Sequence, residues 1–154
     1  MRLIGIRVTP HKVLYSIVDD NEGSISTINQ DLVIPVSFNV PQKLKYVRKT
    51  FLDILGEYAI VRAGIKLTEY SGYQGPDINR VMIEGVIQEM LASSKVEKYF
   101  TGTKVSIAAR LGISADGTIS RMIDGHENYP GIIDWQSLGK EHRECILTAL
   151  AVNN

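Results

Sequence analysis

The sequence predicts an α/β fold: a mixed five-stranded sheet with helices on both faces, in the element order β-β-β-α-β-α-β-α. Three observations lead there. Strand-like runs joined by short polar turns fill residues 2–36. The apolar period then switches from two to 3.6 residues, and strands alternate with helices through the rest of the chain. A meander followed by such alternation implies antiparallel and parallel pairings in one sheet.

Each element has its own warrant. Arg2–Val8 is a short β-rich run stopped by Thr9-Pro10, and Val13–Val18 is a second, stopped by the turn-forming cluster Asp19-Asp20-Asn21-Glu22-Gly23. Residues 24–36 hold a third strand, clearest at Asp31–Pro35. From Pro41 to Glu57, Leu44, Val47, Phe51, Ile54 and Leu55 recur at helical spacing, with Pro41 suited to a first turn. Tyr58–Leu67 returns to strand character, and a loop with Gly72, Gly75 and Pro76 follows. Asp77 is placed to cap a helix whose apolar face carries Val81, Met82, Ile83, Val86, Ile87, Met90 and Leu91. Val96–Gly102 reads as a fifth strand, Thr103 as the cap of a helix to Leu111, and Leu138–Val152 as the last helix.

Composition sets the outer limits. The 154 residues hold 17 basic and 17 acidic side chains, 44% hydrophobic and 22% charged, which suits one domain over residues 1–154 and excludes disorder and coiled coil. Electrical balance argues against a strongly basic nucleic-acid binder while leaving room for a local patch. The apolar run Ile146–Val152 is far short of a membrane span, and no leader segment is apparent. One cysteine forbids an internal disulfide, which fits the cytoplasm. No cofactor is implied.

Residues 3–18, Leu3-Ile4-Gly5-Ile6-Arg7-Val8 through the second strand, resemble the first hairpin of the RuvC resolvase family, of ribonuclease-H-like fold. In that family an apolar pair, Gly and Ile precede a catalytic Asp. Residues 60–67, followed by a glycine-containing loop and a long helix, are similar to the family's fourth strand, which ends in a catalytic Glu. Tyr99–Ala109 resembles its fifth strand and following helix, and Glu144–Ala151 its last helix, which opens with a catalytic Asp. Met82–Gln88 also resembles a helix in small uncharacterised bacterial proteins of this fold.

The departures bear on function. Arg7 stands where the family has its first Asp, Lys66 where it has Glu, and only Glu144 remains acidic, with Glu141 the alternative one turn away. Nucleases of this type hold two divalent cations between clustered carboxylates. Arg7, Lys66 and Glu144 together carry +1, and a divalent ion about 5 Å from that charge is repelled by about 7 kcal/mol at an effective dielectric near 20. The resemblance therefore implies a degenerate site: either Glu144 in a structural ion cluster with the two cations, or an anion site on Arg7 and Lys66. The expected protein is a non-catalytic nucleic-acid- or protein-binding module, with no metal and with a homodimer allowed. An active metal-dependent nuclease using a different carboxylate set is the alternative. Asp19, Asp20, Glu69, Asp77 and Glu84 are the other acids near the expected strand ends, and Glu84 reads as part of a solvated helix face between Arg80 and Gln88.

Residues 104–123 carry a competing signal. Ile107–Ser114 followed by Thr118–Ile123 resembles a helix-turn-helix, with Lys104 and Arg121 as candidate DNA contacts, whereas Asp116-Gly117 is a hairpin signal in the same place. Lys43, Lys45, Arg48 and Lys49 make one side of the first helix basic, either a solvated face or a phosphate-tracking surface, so Lys43 and Arg48 join the nucleic-acid candidates. Tyr70 and Tyr73 lie on one loop and are candidates for anchoring a partner. The histidines are scattered, and Cys145 falls on an apolar helix face as a core residue.

Overall fold

A computed structural model describes residues 1–73 and 75–154. Its strands are β1 (Arg2–Val8), β2 (Lys12–Asn21), β3 (Ser24–Val33), β4 (Arg62–Lys66) and β5 (Lys98–Gly102). Its helices are α1 (Val40–Glu57), α2 (Ile78–Ser93), α3 (Lys104–Arg110), α4 (Thr118–Asp124) and α5 (Lys140–Ala151), with a 3₁₀ turn at Trp135–Ser137. The sheet runs β3-β2-β1-β4-β5, antiparallel across β1–β2 and β2–β3 and parallel across β1–β4 and β4–β5. The expected mixed sheet and element order are present, with α4 and the 3₁₀ turn added before the last helix.

Strand alternation splits the core in two. Ile4, Ile6 and Val8 of β1 with Ala63 and Ile65 of β4 face α1 and α2, against Val47, Phe51, Ile83 and Ile87. Leu3 lies on the opposite face, where Ile146, Leu147 and Leu150 of α5 are joined by Ile107 of α3 and Met122 of α4. Helices thus cover both faces. Cys145 is fully buried against this second face, as a core residue.

Several boundaries differ from expectation for identifiable reasons. The fourth strand starts at Arg62 rather than Tyr58 because residues 58–60 finish α1. Ala59 adopts a left-handed φ of 49°, its N–H donates to the Gly56 carbonyl, and the Ile60 N–H donates to the Leu55 carbonyl. That is a Schellman ending with alanine in the glycine position. At the other end of α1, Asn39 and Gln42 form a reciprocal capping box, each accepting the other's backbone N–H at 2.9 Å. Asp77 caps α2 as expected, accepting from the Arg80 N–H at 2.9 Å. Val81 and Met82, expected on the apolar face of α2, are 42% and 39% exposed; Ile83, Ile87, Met90 and Leu91 make the buried stripe. Residues 113–120 are not a hairpin. Asp116 accepts from both the N–H and the hydroxyl of Thr118, Gly117 takes a φ of 90°, and the chain starts α4 instead.

α5 lies unusually close to the sheet because two glycines leave room for it. Gly5 and Gly64 are register partners on the α5 face. A Cβ on Gly5 would collide with the Cys145 carbonyl oxygen, and one on Gly64 would lie 2.8 Å from the Thr148 carbonyl oxygen. The turn before α5 is pinned by Arg143, which donates to the Ile123 carbonyl at 2.6 Å and to the Leu138 carbonyl at 2.6 and 3.2 Å. Among the described residues, no helix is long and apolar enough to cross a membrane.

Opposite effects are expected at two of these positions. Gly5→Ala should lower stability by about 3 kcal/mol through overpacking, whereas Ala59→Gly should raise it by about 0.5 kcal/mol by relieving the left-handed alanine. Urea unfolding followed by circular dichroism measures both, and a Gly5→Ala midpoint equal to that of the parent would contradict the close seating of α5.

Candidate functional site

The parallel register of β1 and β4 that pairs Gly5 with Gly64 also pairs Arg7 with Lys66, two residues further along and on the same face. Glu144 precedes Cys145, the residue whose carbonyl rests over Gly5, so its side chain falls between the two cations. Arg7 Nε donates to Oε2 of Glu144 at 2.8 Å, and Lys66 Nζ lies 3.5 Å from Oε1. All three are largely buried: the side chains of Arg7, Lys66 and Glu144 are 13%, 4% and 10% exposed. Glu141, the alternative acid, is exposed.

The cluster extends beyond these three. Lys66 Nζ also donates to Glu69 at 3.2 Å, and Glu69 reaches the first N–H of α3, that of Lys104, at 3.4 Å. Arg7 Nη1 donates to the Thr68 hydroxyl at 3.1 Å. The Thr68 N–H and hydroxyl in turn donate to Oε1 of Glu84, at 3.0 and 2.5 Å. Arg80 Nε lies 3.9 Å from that same oxygen. Glu84 is therefore not on a solvated helix face, as its flanking polar residues suggested; it is 6% exposed and anchors the start of the β4–α2 loop. Counted whole, Arg7, Lys66 and Arg80 balance Glu69, Glu84 and Glu144, and the formal charge is zero rather than +1.

The other candidates occupy different surroundings. Lys104 lines a cleft of about 150 Å³ with Lys66, Glu69, Ser120, Lys140 and Glu144. Lys43 and Arg48 lie on α1, across the sheet from α5, and Arg48 Nε is held by Glu89 of α2 at 2.9 Å. Arg121 is engaged within its own segment, donating to Glu127 at 3.1 Å, the Thr118 hydroxyl at 2.9 Å and the Asp116 carbonyl at 3.4 Å. Tyr70 and Tyr73 are exposed on the β4–α2 loop, at 45% and 101%. Asp19 is beside the amino terminus and Arg2, 3.3 and 3.5 Å away.

The cluster does not offer a two-cation carboxylate centre: both oxygens of Glu144 face protein cations, and the strand-end residues beside it, Arg7 and Lys66, are cations themselves. Among the described residues, no group of three His, Cys, Asp or Glu is placed to hold a metal ion. With the charge at zero, the misfit lies in the donor set and not in net repulsion.

No family model matches the sequence, and no curated protein matches it. Solved structures do. The chain is similar to Thermus thermophilus RuvC, with a TM-score of 0.66 and 10% identity over 98% of this chain and 92% of that one. It is similar to the same organism's RuvC in complex with Holliday junction substrate, at 0.68 and 9% with the same coverage. It also resembles the yeast mitochondrial Holliday junction resolvase Ydc2, at 0.57 and 12%, over 97% of this chain and 76% of that one. At these identities the likeness shows the fold alone, a RuvC-like, ribonuclease-H-like fold.

Removing the shared carboxylate tests the cluster. Glu144→Gln leaves Arg7 and Lys66 buried without their common partner and should cost about 3 kcal/mol or more. The triple variant Arg7→Met, Lys66→Met, Glu144→Leu should recover most of that loss, because no buried charge is then stranded. Thermal and urea unfolding read both, and a Glu144→Gln protein as stable as the parent would refute the bridging role.

Proposed function

We propose that the chain is a non-cleaving, nucleic-acid-binding protein with a RuvC-like fold, its metal centre replaced by an ion-paired cluster. The observation that carries this reading is Glu144 held between Arg7 and Lys66 at the ends of two adjacent parallel strands. A nuclease of this kind needs carboxylates there to hold the ions that activate water and neutralise the leaving oxygen. Here the positions are filled by cations that protein carboxylates already neutralise. Nucleic acid is favoured over a protein partner because a structural neighbour is described in complex with Holliday junction substrate. The exposed Tyr70 and Tyr73 on the loop leaving the cluster supply aromatic faces suited to unstacked bases. Arg121 is spent on local bonds, which does not favour a helix-turn-helix reading of residues 104–123.

Incubation with labelled four-way DNA junctions, single strands and duplex, in magnesium or manganese, separates the readings. Binding that weakens steeply with added salt is expected, with no product strand at any metal concentration. Cleavage that disappears in Glu144→Gln would overturn the proposal, and absence of binding to every nucleic acid would leave only the protein-partner reading.

A further inference from the structure

Arg80 is the member of the cluster whose hydrogen-bonding capacity is unfilled. It stands one helical turn before Glu84 on α2, and its Nε is buried with no partner among the described residues. The nearest carboxylate oxygen, Oε1 of Glu84, is 3.9 Å away and already accepts two bonds from Thr68. That separation is an ion pair without a hydrogen bond. No bond from the Arg80 guanidinium to any described residue is formed, although its side chain is only 18% exposed. Arg7 and Lys66 differ in this respect, since Arg7 donates to Glu144 and the Thr68 hydroxyl, and Lys66 to Glu69 and the Leu67 carbonyl.

A guanidinium carries five N–H donors in a planar fork; in Arg80 the Nε–H is buried and unpaired, while the Nη groups, without a protein partner among the described residues, are open to an acceptor from outside. Burial and, after it, the neighbouring charge of Arg7 hold the Arg80 pKa below its ordinary value. An anion on the open side relieves both. Tyr70 is exposed on the loop that leads into the first turn of α2, where Arg80 stands.

We propose that Arg80 is a phosphate-binding residue that takes a phosphodiester of the nucleic-acid backbone, in the first turn of α2 at the end of the loop that carries Tyr70. This rests on the nucleic-acid reading above and moves the anion contact away from Arg7 and Lys66, whose charges are committed inside the protein. A phosphate fits the site because two of its oxygens match the planar fork while the nucleoside extends toward the tyrosine. Free phosphate offers the same oxygens without a base.

The test follows the arginine Nε–Hε resonances of ¹⁵N-labelled protein, with the Arg80 signal assigned by its loss in Arg80→Lys. Inorganic phosphate and a single-stranded oligothymidylate are titrated separately against chloride of equal ionic strength. Both should shift the Arg80 signal selectively, while the Arg48 signal stays in place. In parallel, Arg80→Gln should weaken oligonucleotide binding about tenfold and reduce the dependence of log affinity on log salt by about one. Arg80→Lys, which keeps the charge and guards against a folding defect, should fall between. An Arg80 signal that phosphate and oligonucleotide leave unmoved overturns the inference. Unchanged oligonucleotide affinity and salt slope in Arg80→Gln overturns it too, while leaving the nucleic-acid reading intact. A shift with phosphate but no oligonucleotide binding overturns the phosphodiester assignment together with that reading.

Discussion

Glu144 meets two cations at once because three backbone facts coincide. β1 and β4 run parallel with Arg7 beside Lys66, a pair of glycines lets α5 settle onto both strands, and Glu144 is the residue immediately before the point of closest approach. Two buried cations side by side would otherwise repel through a medium less screening than water. The carboxylate between them converts that repulsion into a tie between the sheet centre and α5. Thr68 and Glu84 then carry the tie to α2, so one connected polar group links both helical layers.

That arrangement sits in a RuvC-like fold, yet fold alone does not carry activity. The chemistry belongs to the side chains, and here those at the strand ends are occupied with one another. A carboxylate hydrogen-bonded on one oxygen and ion-paired on the other by protein cations offers a metal little, whatever the overall charge. The same consideration separates Arg80 from its neighbours, since an arginine whose guanidinium has no hydrogen-bond acceptor among the described residues is available to an external one.

The fold was legible where periodicity and turn chemistry agreed. The β1–β2–β3 meander, the apolar rows of α1 with Pro41 in its first turn, and the cap at Asp77 all follow local rules that the residues display openly. Boundaries failed where a residue adopted an atypical conformation. Ala59 has no sequence mark of a left-handed helix ending, so its segment read as strand. Asp116-Gly117 supports a hairpin or a helix start equally well, and only the packing of Ile119, Met122 and Ile123 against α5 decides for the helix.

At the site, Arg7, Lys66 and Glu144 were readable through family resemblance, while Glu69, Thr68, Glu84 and Arg80 were not. Glu84 had a signal: with Ile87 and Leu91 it falls at the 3–4 spacing of the buried stripe, and its charge outweighed that spacing in the reading. Arg80 had none, because unsatisfied donors are a property of three-dimensional surroundings. The central claim is that Glu144 is committed to protein cations and not to a metal. Titrating Mn²⁺ into the protein and recording the free-ion electron paramagnetic resonance signal tests it most directly. The signal of buffer alone is expected; loss of signal from one or two bound ions, restored by Glu144→Gln, would place a metal on Glu144 instead.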